Sequence, residues 1–145
     1  MIGVFSTPFS RVVRAALQAK RRKASFGTDD IGPGLLVPEV QVVAIAQKGW
    51  PDETMIATVQ SVVLVRRIGA SEEVVQPLQT TELSPELRSL HGIESPDAGV
   101  VASFPMTQLT AGTTIRVTYD RTARGFSGMS MCRACNVPLD VRKLR

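Results

Sequence analysis

The segment TMIATVQSVVLVRR, residues 54–67, places the strongest restriction on how this chain folds. It is rich in β-branched residues, which favour extended backbone because their side chains pack well on a pleated sheet. Alternation along the segment predicts a strand with one apolar and one polar face. Val62 and Leu64 also make the second half apolar on both faces, which is typical of a strand that is covered on both sides. The apolar face is predicted to carry Met55, Ala57, Val59, Val63 and Val65, and the polar face Thr58, Gln60 and Arg66.

Further segments with strand patterns are separated by turn residues. The segment 113–120 alternates most regularly, and its residues Ile115, Val117 and Tyr119 are predicted to point inward. Pro77 indicates a strand at a sheet edge, since proline cannot donate to a ladder. Because strand–helix–strand alternation is not present, we expect a mainly β fold, an antiparallel β-sandwich or a small barrel. The segments are residues 40–47, 73–79, 98–106 and 113–120.

Two helices are predicted beside the strands. The short one lies around 84–91, where Ser84 can cap it, Pro85 suits its first position and Gly92 can end it. Thr7 and Pro8 can begin the other, an N-terminal amphipathic helix with a basic face. Its apolar face is thin, so we expect this helix to need a partner surface. The basic face is predicted to carry Arg11, Arg14, Gln18, Arg21 and Arg22, and the apolar face Val12, Val13, Ala16, Leu17 and Ala19.

Charge is distributed unevenly along the chain, although the net charge is only +4. Residues 1–28 contain six Lys and Arg and no acidic residue, and residues 29–115 contain four against eleven acidic residues. Residues 116–145 contain seven Lys and Arg against two acidic residues. Basic ends of this kind can contact phosphates, anionic lipid or acidic protein surfaces. We therefore expect a basic N-terminal helix with a Gly- and Pro-rich linker (1–37), a β-rich domain (38–121) and a basic C-terminal extension (122–145).

Few residues in the sequence are candidates for chemistry. Cys132 and Cys135 have the spacing of a zinc-binding pair, but a structural zinc site needs four ligands and His91 is the only histidine. The same two cysteines can remain thiols, or form a disulfide or a redox pair, and the residues alone leave these readings open. The paired acidic residues lie in predicted loops, and a phosphate-binding glycine motif is not present. We predict no enzymatic activity, no metal and no cofactor.

The basic N-terminal helix admits several interpretations. An acid-free N-terminus with Arg and Ser is compatible with a cleaved organelle transit peptide spanning residues 1–28. Binding to a membrane surface would be aided by Phe5 and Phe9, but the rest of the apolar face is mostly Val and Ala. Sequence-specific DNA reading would need a helix-turn-helix or basic-zipper context, which the sequence does not show. Contact with phosphates and docking on another protein remain.

We expect the basic ends to serve assembly. The hypothesis is a non-enzymatic structural subunit of a large multi-subunit assembly, such as a virion, whose ends contact other copies of the chain and other subunits. The expected location is a virion or the cytoplasm, without a secretory signal or a membrane span. The alternatives are a nucleic-acid-binding module that contacts phosphates, and a small Cys/His metal-binding protein. The predicted contact residues are Arg11, Arg14, Arg21, Arg22, Arg142, Lys143 and Arg145.

Overall fold

The computed structural model describes residues 3–46, 55–94, 97–123 and 134–138. Within these residues the chain forms two antiparallel sheets and two helices, with short 3-10 turns between them. In chain order the elements are β1 (Gly3–Ser6), α1 (Pro8–Arg21), β2 (Glu39–Ile45), β3 (Met55–Ile68), β4 (Ser71–Val75), β5 (Gln79–Glu82), α2 (Pro85–His91), β6 (Gly99–Pro105), β7 (Thr114–Ala123) and β8 (Ala134–Pro138). The first sheet has the strand order β1-β2-β6-β5, and the second has the order β4-β3-β7-β8.

The main hydrophobic core contains inward-facing residues of both sheets. Side chains alternate along a strand, so each central strand contributes every second residue to this core. The inward orientation predicted for Ile115, Val117 and Tyr119 is confirmed. The predicted fold class is confirmed in its sandwich-like form, with an N-terminal helix and a short helix around 84–91. The buried core residues are Val40, Val42, Ala44, Ala46, Val62, Leu64, Ala102, Phe104, Ile115, Val117 and Tyr119.

Strand β3 differs from the prediction in which residues face the core. Its register with β7 shifts just after Val59, which marks a β-bulge or a similar irregularity. An extra residue at that point reverses the alternation of the side chains that follow. Val62 and Leu64 therefore join Val59 at the core, and the prediction that Val63 and Val65 share this face was wrong. Both of these valines are buried, and the alternation places them on the opposite face.

The sandwich extends beyond the expected β-rich domain of residues 38–121. Strand β1 pairs with β2, and strand β8 pairs with β7, so both flanking segments contribute a strand. These strands are too short to show a clear alternation, and they are held by main-chain hydrogen bonds that any sequence can make. The segment 73–79 also divides at Pro77 into edge strands of different sheets, β4 and β5.

Helix α2 covers part of the outer face of the first sheet. Its predicted ends are confirmed: the Ser84 hydroxyl accepts a hydrogen bond from the Leu87 N–H, and Gly92 ends the helix with a φ of 66°. Leu87 and Ile93 pack on a second buried cluster, which consists of Val43, Ile45, Leu83 and Val101. In the described part of the chain, no helix has the length and hydrophobicity needed to cross a bilayer.

Candidate interaction surface on the N-terminal helix

Helix α1 begins where the sequence predicts. The Thr7 hydroxyl accepts a hydrogen bond from the Ser10 N–H at 3.2 Å, and the Ser10 hydroxyl accepts one from the Thr7 N–H at 2.8 Å. Pro8 occupies the first helical position, where its missing N–H costs nothing. This reciprocal cap satisfies main-chain donors that a helix start otherwise leaves open. Only Thr7 separates α1 from β1, so the start of the helix is fixed at one edge of the first sheet.

Arg11 lies on the side of α1 that faces the body of its own chain. Its side chain is 1% exposed. The guanidinium carries five donors in a planar fork, which suits several acceptors arranged around it. Burial lowers the pKa of Arg11, and the nearby Glu39 carboxylate opposes that shift. Arg11 donates to the main-chain carbonyls of Ser6, Leu35, Val37 and Glu39, and these bonds hold α1 against the end of β1 and the start of β2.

Other polar side chains continue this inward side of α1. The Gln18 amide donates to the Ser89 carbonyl of α2 at 2.8 Å, and Arg14 is partly buried. His91, the last residue of α2, is 2% exposed. Burial, and then the positive charges of Arg14 and Arg11, lower the pKa of His91 to about 4. The ring is therefore neutral near pH 7, and the layer beneath α1 is polar and cationic.

The opposite side of α1 carries an apolar stripe that is open to solvent. Phe9 is 69% exposed, Val13 is 39% exposed and Leu17 is 52% exposed. Residues four positions apart lie on the same side of a helix, so these three side chains form a continuous row. We refer to them as the outward stripe. A surface helix usually turns its apolar stripe towards the core, and α1 has the reverse arrangement.

The C-terminal end of α1 is basic. Lys20, Arg21, Arg22 and Lys23 are all exposed, and α1 contains no acidic residue. Cations are favourable at this position because they face the negative end of the helix dipole. Lys23 has a φ of 55°, a left-handed conformation in which the helix cannot continue. We refer to the outward stripe together with these four residues as the α1 surface.

The structure separates the predicted contact residues into different groups. Arg21 and Arg22 are exposed, whereas Arg14 is partly buried. Arg11 requires a correction, because it lies inside its own chain and is not accessible to a partner. The physical reason is that several main-chain carbonyls of the chain accept hydrogen bonds from Arg11. A local sequence pattern does not show which carbonyls lack a main-chain donor. The remaining predicted contact residues, Arg142, Lys143 and Arg145, lie outside the described residues.

Sequence reasoning does not identify the outward stripe as a site. The four-residue spacing of Phe9, Val13 and Leu17 is visible in the sequence. The sequence predicts that the arginines of this helix face outward and that the apolar residues face inward. For this reason the stripe is not recognised as an exposed surface. The orientation of α1 depends on the carbonyls of residues 35–39, which are distant in sequence from the stripe.

Acidic residues of the second sheet are engaged in ion pairs. Arg66 pairs with Glu73 at 2.6 Å, and Arg116 pairs with Glu72 at 3.0 Å. Cross-strand pairs of this kind stabilise a sheet surface modestly. In the first half of the chain, the Asp30 carboxylate accepts a hydrogen bond from the Gly27 N–H at 2.8 Å, which closes a local turn. These contacts give the carboxylates structural roles.

The other candidates for chemistry do not form a cluster within the described residues. Among the described residues, no group of three or more His, Cys, Asp or Glu side chains is placed to hold a metal ion. Cys132 lies outside the described residues, and Cys135 lies in β8 opposite Val117. Comparison of the chain with protein-family models, with curated proteins and with solved structures finds no match. The α1 surface is therefore the candidate site that the geometry supports best.

Proposed function

We propose that this chain is a non-enzymatic structural subunit of a large multi-subunit assembly, with a virion or a virion-like particle as its setting. The observation that supports this proposal is the α1 surface. It combines three exposed apolar side chains on α1 with four exposed cations at and just beyond the C-terminal end of this helix. Exposed apolar rows with polar borders are typical of protein interaction sites.

The anchoring of α1 strengthens this argument. Arg11 donates four hydrogen bonds to its own chain, and Gln18 adds a fifth to α2. A helix that is already fixed loses little conformational entropy when a partner binds, so more of the contact energy remains for affinity. The proposed contact is thus a preformed surface.

The native mass of the purified full-length chain tests the proposal. Sedimentation velocity over about a hundredfold range of protein concentration should show species heavier than the 15.7 kDa monomer. Electron microscopy of the heaviest fraction should show particles of uniform size. A single monomeric species at every concentration contradicts the proposal.

Charge-reversal variants connect the assembly to the α1 surface. Deleting residues 1–28 is unsuitable, because it also removes β1 and Arg11 from the fold. The Arg21→Glu/Arg22→Glu variant changes only exposed side chains, and we expect it to shift the mass distribution towards monomer. Arg67→Glu is the matched control, since Arg67 is exposed on the second sheet. Equal assembly by the two variants counts against a role for these cations.

The four exposed cations also favour one alternative function, contact with nucleic-acid phosphates. Cations that neutralise phosphates release counterions, so the affinity falls steeply with salt. With Lys20, Arg21, Arg22 and Lys23 engaged, the slope of log K against log salt should be about −3.6 on duplex DNA and about −2.8 on single-stranded RNA. Fluorescence anisotropy with labelled duplex DNA and single-stranded RNA measures this slope. Absent or salt-independent binding removes the alternative.

A further inference from the structure

We infer that the α1 surface docks on the α2 side of a second copy of this chain, so that two copies pair through their helices about a two-fold axis. The inference rests on the proposed function and names one contact for it. The side chains of the outward stripe are between 39% and 69% exposed, while the inward side of α1 is bonded to its own chain.

The two helices of one chain lie side by side, and the exposed cations at the end of α1 are matched by exposed carboxylates on and beside α2. The Gln18–Ser89 hydrogen bond joins α1 to α2. Around α2 the chain exposes three carboxylates, those of Glu82, Glu86 and Glu94. Arg88 also lies on α2 and donates to the main-chain carbonyl of Asp97 at 2.6 Å. Basic and acidic areas are therefore neighbours on one helical layer.

This arrangement is complementary to itself. A two-fold axis between two such layers places α1 of one copy opposite α2 of the other, and the same contact occurs twice. The cations at the end of each α1 then face the carboxylates around the partner's α2. The apolar stripe lies beside these charges, where Phe9 and Leu17 can act as the buried anchors of the interface.

Direct pairing of α1 with α1 is the competing geometry, and its charges oppose it. An antiparallel pair brings Lys20 and Arg21 of each helix towards the N-terminal end of the other, which is the positive end of the dipole. Residues 1–28 contain no acidic side chain that could compensate. The acidic partner surface must therefore come from another part of the chain, and the α2 side supplies it.

Sedimentation equilibrium of the full-length chain tests this contact. The wild type should dimerise, and Leu17→Gln should raise the dimer dissociation constant about tenfold or more. Ile68→Gln is the matched control, because Ile68 is 61% exposed at the end of β3 in the second sheet, and it should leave the constant unchanged. Far-UV circular dichroism confirms that each variant is folded.

A charge exchange within one chain identifies the α2 side as the partner. Lys20→Glu/Arg21→Glu should weaken the dimer, and adding Glu82→Lys/Glu94→Lys to the same chain should restore it. Failure of this restoration overturns the assignment of α2, and equal dimerisation of Leu17→Gln and Ile68→Gln overturns the use of the stripe. A wild type that stays monomeric overturns the inference together with the proposed self-assembly. Particles that form undiminished from Leu17→Gln overturn the inference alone and leave the proposed function standing.

Discussion

Arg11→Met should cost about 3 kcal/mol of unfolding free energy. Methionine keeps much of the length of the side chain but removes every donor, so the carbonyls of Ser6, Leu35, Val37 and Glu39 lose a bond. The bond to Ser6 is buried and the other three are partly buried, and a bond from a charged donor is worth about 1.5 kcal/mol, so the four together contribute about 6 kcal/mol. Removing a buried cation returns about 3 kcal/mol of desolvation, which leaves about 3 kcal/mol.

Equilibrium unfolding in urea, followed by far-UV circular dichroism, measures this loss. Arg67→Met is the control, since Arg67 is an exposed arginine and should change the free energy by less than about 0.5 kcal/mol. Arg11→Lys should recover only part of the loss, because its donors diverge from one atom and cannot reach four carbonyls. A change below about 1 kcal/mol for Arg11→Met, with an unaltered dependence on urea, refutes the reasoning.

Two further predictions concern single residues. The folded chain holds the pKa of His91 at about 4 against an ordinary 6.5, so the unfolded chain takes up the proton first. The unfolding free energy should therefore fall between pH 6.5 and 4, by at most about 3 kcal/mol, and urea titrations should show a smaller fall for His91→Gln. Gly99→Ala should cost about 2 kcal/mol in the same assay, because a Cβ there would lie 2.7 Å from the main-chain oxygen of Ala44. Gly34→Ala, which would contact nothing within 4 Å, is its control.

The sequence predicts those elements whose signals are local. Strands β2, β3, β6 and β7 follow runs of β-branched residues, and α2 lies between Ser84 and Gly92, which cap it as predicted. In each of these cases a few neighbouring residues specify both the element and its ends. The charge distribution also leads to α1 as the candidate site before any geometry is known.

Other features depend on residues that are far apart in sequence. The irregularity after Val59 becomes visible only when β3 is paired with β7, and it decides whether Val62 or Val63 faces the core. Strands β1 and β8 are specified by main-chain pairing with β2 and β7. The inward orientation of Arg11 is set by carbonyls as distant in sequence as Glu39. Hydrophobic patterning takes no account of main-chain acceptors. It therefore assigns the Arg11 side of α1 to solvent, although this side faces the chain's own body.

The same arginine determines which side of α1 a partner can reach. Half a turn of rotation about the helix axis would bury Phe9, Val13 and Leu17, whose exposed parts are worth about 3 to 4 kcal/mol together. It would also withdraw the charged donors from four carbonyls, which would then lie unpaired beneath the stripe. Little of the apolar gain is therefore realised, so the observed orientation is favoured within one chain, and a second copy that covers the stripe favours it further. Arg11→Met should consequently weaken the dimer as well as the fold, although Arg11 itself is buried and cannot contact the partner.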